Sequence, residues 1–411
     1  MNKKVSLAAF PRLRFSMFRD TSEWQWHTGN ELFDSISNKD HNSDLPVLAI
    51  TQEQGAVPRE QINYHVSVSE SSIQNYKIVE IGDFIISLRS FQGGIEYSDY
   101  RGLCSPAYII LRKRRDFVSE YFKHYFKSGA YIYALNKNIE GLRDGKMVSY
   151  KQFSDISLPL PKLKEEQQKI ADCLTSIDAS IDGEEEKLQG LQRYKIGLMQ
   201  QLFPVDGESL PKLRFPEYRD APEWSLQNGN QLFDPISNKD HDSDLPVLAI
   251  TQEHGAIPRE KINYHVSVSE KSIESYKVVE VGDFIISLRS FQGGIEYSEY
   301  KGLCSPAYVI LRKRKDFVSE YFKHYFKAGT FIQDLNKNIE GLRDGKMVSY
   351  KQFSDLLLPL PPSRDEQQKI ANCLTLIDEI IAQQSKKLEA LQKQKDGLMQ
   401  LLFPTDVEMI A

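Results

Sequence analysis

Two short segments carry side chains suited to reading planar polar edges. Arg89, Ser90, Gln92 and Gly93 fall within ISLRSFQGGIEYS, and Gln52 and Arg59 bracket the glycine in TQEQGAVPRE. A third segment, NKNIEGLRDGKMVSYK, holds Lys137, Asn138, Arg143 and Lys146. Arginine and glutamine pair bidentately with guanine and adenine edges, while lysine and serine hold phosphate oxygens. Glycine lets a backbone approach such a group closely. These residues are therefore candidate nucleic-acid contacts. Every one of them recurs later in the chain, as Gln252, Arg259, Arg289, Ser290, Gln292, Gly293, Lys337, Asn338, Arg343 and Lys346. A further basic run, Arg112 to Arg115, fits a solvated face as readily as a binding face.

Catalytic patterns are missing. GLRDGKMVS has the wrong spacing for a P-loop, and FQGG is not a dinucleotide loop. No HExxH, GxSxG or paired Cys/His grid occurs. The histidines are scattered, and His124 reads as a surface or packing residue rather than a ligand. Cys104, Cys173, Cys304 and Cys373 have no CxxC spacing and fit a reducing compartment. The chain reads as a binding protein with no catalytic residues, metal or cofactor of its own.

The 411 residues carry 52 Lys and Arg against 57 Asp and Glu, a net charge of −5 that excludes a uniformly basic coat but not a local basic face. No run approaches the roughly 20 apolar residues of a membrane span, and the apolar stretch near the N-terminus is too short for a signal peptide. A cytoplasmic location is expected.

The chain is written twice. Cys104 and Cys173 return as Cys304 and Cys373, an offset of 200 that holds without insertion or deletion. A period this long marks a duplicated domain rather than a solenoid unit. Identity is highest over residues 31–160 and falls in the segment that follows, which suggests that the two globular parts do one job. Within each copy two textures alternate. PVLAIT (46–51), VEIGDFIISL (79–88) and PAYIILRKR (106–114) read as strands, with Gly82-Asp83 a turn and Gly93-Gly94 a tight loop. FVSEYFKHYFK (117–127) has helical spacing.

After Pro161 a heptad seam begins: Ile170, Leu174, Ile177, Ile181, Leu188, Leu191 and Leu198, interrupted by Glu184 and Lys195. The second copy runs Ile370, Leu374, Ile377, Ile381, Leu388, Leu391 and Leu398, with Gln384 and Lys395 as its polar members. Ser363 and Glu366 have capping-box spacing. Each striped helix needs a partner. Either each packs on its own domain, or the two pair with each other; the duplication favours an antiparallel intramolecular coiled coil about a pseudo-twofold axis. One register sets Glu184 opposite Lys395 and Lys195 opposite Gln384. The expected architecture is α+β: two strand-rich mixed domains joined by two long helices. The segments are 1–160, a first head; 161–204, a first spacer helix; 205–360, a second head; and 361–411, a second spacer helix and tail.

The ordered motifs resemble one family. EEQQKIA (165–171) follows PLP (159–161), a long helix ends in GLMQQLFP (197–204), and PKLRFPEYRDAPEW (211–224) opens the next domain; DEQQKIA (365–371) and GLMQLLFP (397–404) repeat the pattern. This resembles the specificity subunit of type I DNA restriction–modification systems, over nearly the whole chain. The resemblance implies two target-recognition domains on an antiparallel helix pair, each reading half of a bipartite DNA target. It implies double-stranded DNA, two modification subunits and restriction subunits as partners. S-adenosylmethionine, ATP and magnesium are then expected on those partners and not here. Members usually carry dissimilar heads. Near-identical heads imply an interrupted inverted repeat, unless Gln54/His254, Asn42/Asp242 or Ser71/Lys271 retune one head. The alternatives are a two-headed nuclease with an unrecognised carboxylate site and a protein–protein scaffold.

Overall fold

The computed structural model describes residues 8–9, 11–42, 44–62, 70–139, 148–205, 207–242, 244–262, 273–337 and 348–404. The chain forms two compact units. One comprises residues 1–185 with 387–411, the other 186–386. Contacts thus group the chain differently from the four segments read along the sequence, because each long helix is shared between the units.

In the first unit a four-stranded antiparallel sheet runs in the order Phe33–Ile36, Ile109–Lys113, Phe84–Ile86, Glu96–Tyr97. Strand Phe84–Ile86 is buried on both faces, as are Ile110 and Leu111 beside it, so these stretches read as continuous apolar runs, and the two-residue period sorts their side chains. Phe84, Ile86 and Leu111 face the main core, while Ile85 and Ile110 face a smaller one with Leu48, Val79 and Cys104. The Cys104 thiol is fully buried and pushed up to about 12 by that burial, so it acts as a small apolar side chain. The main core is a knot of rings. Phe33 lies 5.2–5.8 Å from Phe84, Phe117, Phe122, Phe126 and Phe153, mostly edge to face. The second unit repeats this with Phe233.

The long helices are Lys164–Leu202 and Arg364–Leu402, of 39 residues each. In the first unit the start of the first helix lies antiparallel to the end of the second, with Asp178 bonded to Lys395 at 2.6 Å and Glu184 to Lys387 at 2.5 Å. In the second unit Lys195 meets Asp378 at 2.5 Å. Antiparallel pairing is as expected, but the register is not. Glu184 meets Lys387 rather than Lys395, and Lys195 meets Asp378 rather than Gln384, a shift of about one heptad. A seven-residue slip preserves the apolar seam, so the pattern of the seam could not choose between them. Ile170, Leu174, Ile181, Ile370, Leu374 and Ile377 are buried, and Ile177, Leu188, Leu191, Leu198, Ile381, Leu388, Leu391 and Leu398 are half-buried.

Each helix begins on its own head and ends in the core of the other. Phe403 lies 5.6 and 5.3 Å from Tyr121 and Tyr125, and Phe203 lies at the same distances from Tyr321 and Tyr325. Packing of each helix on its own head alone is thereby ruled out. The helix starts are clasped. Glu166, 1% exposed, takes two 2.7 Å bonds from Arg14, while Gln167 receives the Val118 N–H at 2.9 Å. Glu366 receives Arg214 at 2.7 and 2.9 Å and the Trp224 indole N–H at 3.0 Å. The expected capping box at 363–366 is therefore not what Glu366 does: its buried carboxylate is taken up by the half-buried Arg214 guanidinium and the Trp224 indole. Among the described residues no helix is long and apolar enough to cross a membrane.

Candidate nucleic-acid interface

The hairpin Leu48–Thr51 with Gly55–Pro58 projects Gln52 at its turn and Arg59 just past its second strand. Gly55 has φ +72°, and a Cβ there would meet the Tyr97 carbonyl oxygen at 2.7 Å, so this turn position needs glycine. Strand Phe84–Ile86 leads into the turn that carries Arg89. The turn is pinned: the Ser87 N–H donates to Ser90 Oγ at 2.9 Å, the Arg89 N–H to Ser87 Oγ at 3.3 Å, and Gln52 Nε2 to the Arg89 carbonyl at 3.2 Å. The result is a cleft of about 470 Å³ whose lining includes Gln52, Arg59, Ser87, Leu88, Arg89, Ser105 and Tyr108. Burial pushes the Tyr108 hydroxyl up, and the positive charges of Arg59 and Arg89 offset part of that rise. In the second unit Arg259 and Arg289 act on Tyr308 in the same way, and Gln252 bonds the Arg289 carbonyl at 3.2 Å.

Three of the sequence candidates in each head thus converge: Gln52, Arg59 and Arg89, with Gln252, Arg259 and Arg289. Others take different places. Ser90 and Ser290 are 1% exposed and bond the backbone of their own turn, so they cannot hold a phosphate. Gly93 does not open space for a ligand: a Cβ there would meet the Gln52 carboxamide at 2.5 Å, and Gly293 stands likewise against Gln252. Gln92 and Gln292 are exposed on the helical turns Ser90–Gly93 and Ser290–Gly293. The tight loop expected at Gly93-Gly94 is the end of this turn, where a Cβ on Gly94, at φ +82°, would collide with the Phe126 carbonyl.

Lys137 is exposed near the end of helix Gly129–Ile139. Lys337 ends helix Gly329–Lys337 and bonds Asp334 at 3.1 Å. Asn336 donates to the Phe291 carbonyl at 2.8 Å, which brings this helix against the turn that follows Arg289. Arg143, Lys146, Asn338, Arg343 and Lys346 lie outside the described residues, as does the side chain of Asn138. In the basic run 112–115, Arg112 is taken up internally by Asp83, at 2.8 and 2.7 Å. Arg114 bonds the Asn30 carbonyl at 3.2 Å.

Sequence reasoning missed the strut beneath the cleft. Lys127 Nζ donates to the Gln52 carbonyl at 3.3 Å, the Gly93 carbonyl at 3.0 Å and Glu96 Oε1 at 2.6 Å, tying hairpin to turn. Burial pushes the Glu96 carboxyl up to about 7 although Lys127 pulls it down. Of the two readings of His124, surface or packing, its burial bears out packing. It is 4% exposed, 3.0 Å from Thr175 Oγ1 and 3.6 Å from Asp178, and burial lowers it to about 4. Among the described residues no group of three or more His, Cys, Asp or Glu could hold a metal ion.

Comparison with known proteins assigns these heads. The family model described as type I restriction modification DNA specificity domain matches residues 23–193 and again 226–393. A putative type I restriction enzyme MjaX specificity subunit from Methanocaldococcus jannaschii is 24% identical over 84% of this chain and 82% of its own length. The type I restriction–modification S subunit from M. genitalium superposes with a TM-score of 0.56 at 16% identity, covering 96% of this chain and 99% of that one. A chain from a structure of type I R-M complex assembly and conformational transition gives 0.55 at 18% identity, over 93% and 98%. With both heads matched by that model, this chain belongs to the type I restriction–modification DNA specificity family, as a recognition subunit rather than an enzyme.

Proposed function

We propose that the two clefts read bases: Gln52, Arg59 and Arg89 in one half-site, Gln252, Arg259 and Arg289 in the other. The observation that carries this reading is the identity of the two linings. Every described residue that lines the first cleft has the same residue 200 positions on, whereas Gln54/His254 and Asn42/Asp242 are not among the described lining residues; Lys271 and the Ser71 side chain lie outside the described residues. Two equal readers call for two equal half-sites. With two like heads in a family whose members read bipartite targets, the target is an interrupted palindrome. Exposed Lys137 and Gln92, with their counterparts, would contact the backbone, and Arg143, Lys146, Arg343 and Lys346 extend the same basic segments.

Membership of this family supports a reading of the partners. Two modification subunits would bind the helix pair and supply S-adenosylmethionine-dependent adenine methylation. Restriction subunits would supply ATP- and magnesium-dependent translocation and cleavage. This chain contributes neither cofactor nor catalytic group. Single-molecule sequencing of DNA methylated by the chain with its modification subunit tests the reading. An interrupted palindrome supports it; an asymmetric motif refutes the equivalence of the clefts.

A further inference from the structure

Leu88 lines the first cleft beside Gln52, Arg59 and Arg89, and is 56% exposed. Leu288, at the same place in the second head, is 55% exposed. Single exposed leucines are common on protein surfaces. This one differs because its turn cannot fold it away: the hydrogen bonds among Ser87, Ser90, Arg89 and Gln52 hold the backbone on both sides of it. The same pinning recurs around Leu288. The lining has other apolar side chains, but Leu48 is buried and Ala49, Ile50 and Ile62 are half-buried; among the described lining residues Leu88 is the exposed apolar one, beside the donors and acceptors of Gln52, Arg59 and Arg89. Among the base edges of the major groove only thymine presents an apolar group, its C5-methyl.

We propose that Leu88 and Leu288 are specificity-determining residues that pack on the C5-methyl group of one thymine in each half-site. The proposal rests on the reading of the clefts as base-reading surfaces. Its test uses the full chain assembled with its modification subunit and duplexes carrying the methylated motif. Each thymine of a half-site is replaced singly by deoxyuridine, which removes only the methyl group. One position per half-site is expected to lose about five- to tenfold in affinity. The Leu88→Ala, Leu288→Ala double variant should bind the thymine duplex about five- to tenfold more weakly per half-site and no longer distinguish uracil there. Its melting temperature should match that of the parent chain. Equal losses by the variant on thymine and uracil duplexes would make the leucine a wedge or a packing residue and overturn the proposal. So would insensitivity to uracil at every position. The underlying reading is separated by Arg89→Ala with Arg289→Ala: retention of full target preference by that variant sinks the clefts themselves, whatever the leucine does.

Discussion

Arg89 and Arg289 combine exposure with a fixed backbone, which is what a base-reading guanidinium requires. Replacing both with alanine should lower affinity for the target by about tenfold per half-site and leave binding to random duplex nearly unchanged. Competition binding against both duplexes measures this; equal loss on the two would reassign the arginines to phosphate. Beneath them, Glu96 gives a pH signature. Its folded value of about 7 lies above the usual 4.5, so its protonated form is the one that burial favours. The stability it contributes is present in full below about pH 4.5 and is lost as pH rises through 7. Glutamine mimics the protonated acid. The stability of Glu96→Gln relative to the parent should therefore rise by on the order of 3 kcal/mol between pH 4 and 8. His124, lowered to about 4, acts oppositely: its contribution is present above about 6.5 and is lost on acidification through 4. The parent chain should thus look flatter with pH than either single variant, as denaturant titrations would show.

At the scale of elements, the motifs that carry the family resemblance turn out to be clasps. Arg214 of the PKLRF segment binds the buried glutamate of DEQQKIA, Arg14 does the same for EEQQKIA, and the FP ending plugs an aromatic core. Glu366→Ala would leave Arg214 and the Trp224 indole without their acceptor, at a cost of about 3–5 kcal/mol in denaturant unfolding. The helix register has its own test. With Cys173 and Cys373 replaced by serine, Glu184→Cys with Lys387→Cys should join through a short bismaleimide, whereas Glu184→Cys with Lys395→Cys should not. The reverse outcome would restore the register offset by about one heptad.

The whole chain couples two readers through one pair of helices. If each cleft serves one half-site, Arg289→Ala alone should relax the methylated motif in one half and leave the other intact. Loss of stringency in both halves would show that the heads do not read independently. Duplication makes this experiment informative, because the undamaged head serves as the internal reference.

Much of this was legible from sequence. The period of 200, the strand and helix textures, the heptad stripes and the ordered motifs determined two like heads, two long helices and the family, because repetition and periodicity are properties of the chain itself. Of the candidate readers, arginine and glutamine type alone pointed to Gln52, Arg59 and Arg89. Only the tertiary structure could bring them into one cleft, since it takes a hairpin, a pinned turn and the Lys127 strut from separate stretches of chain. It also withdrew Ser90 and Gly93, whose environments are set by neighbours distant in sequence. The helix register was decided by Asp178, Lys395, Glu184 and Lys387, because a seam that repeats every seven residues fits equally well when slipped by seven. And the sharing of each helix between the two units rests on Phe203 and Phe403, whose partners no local pattern names.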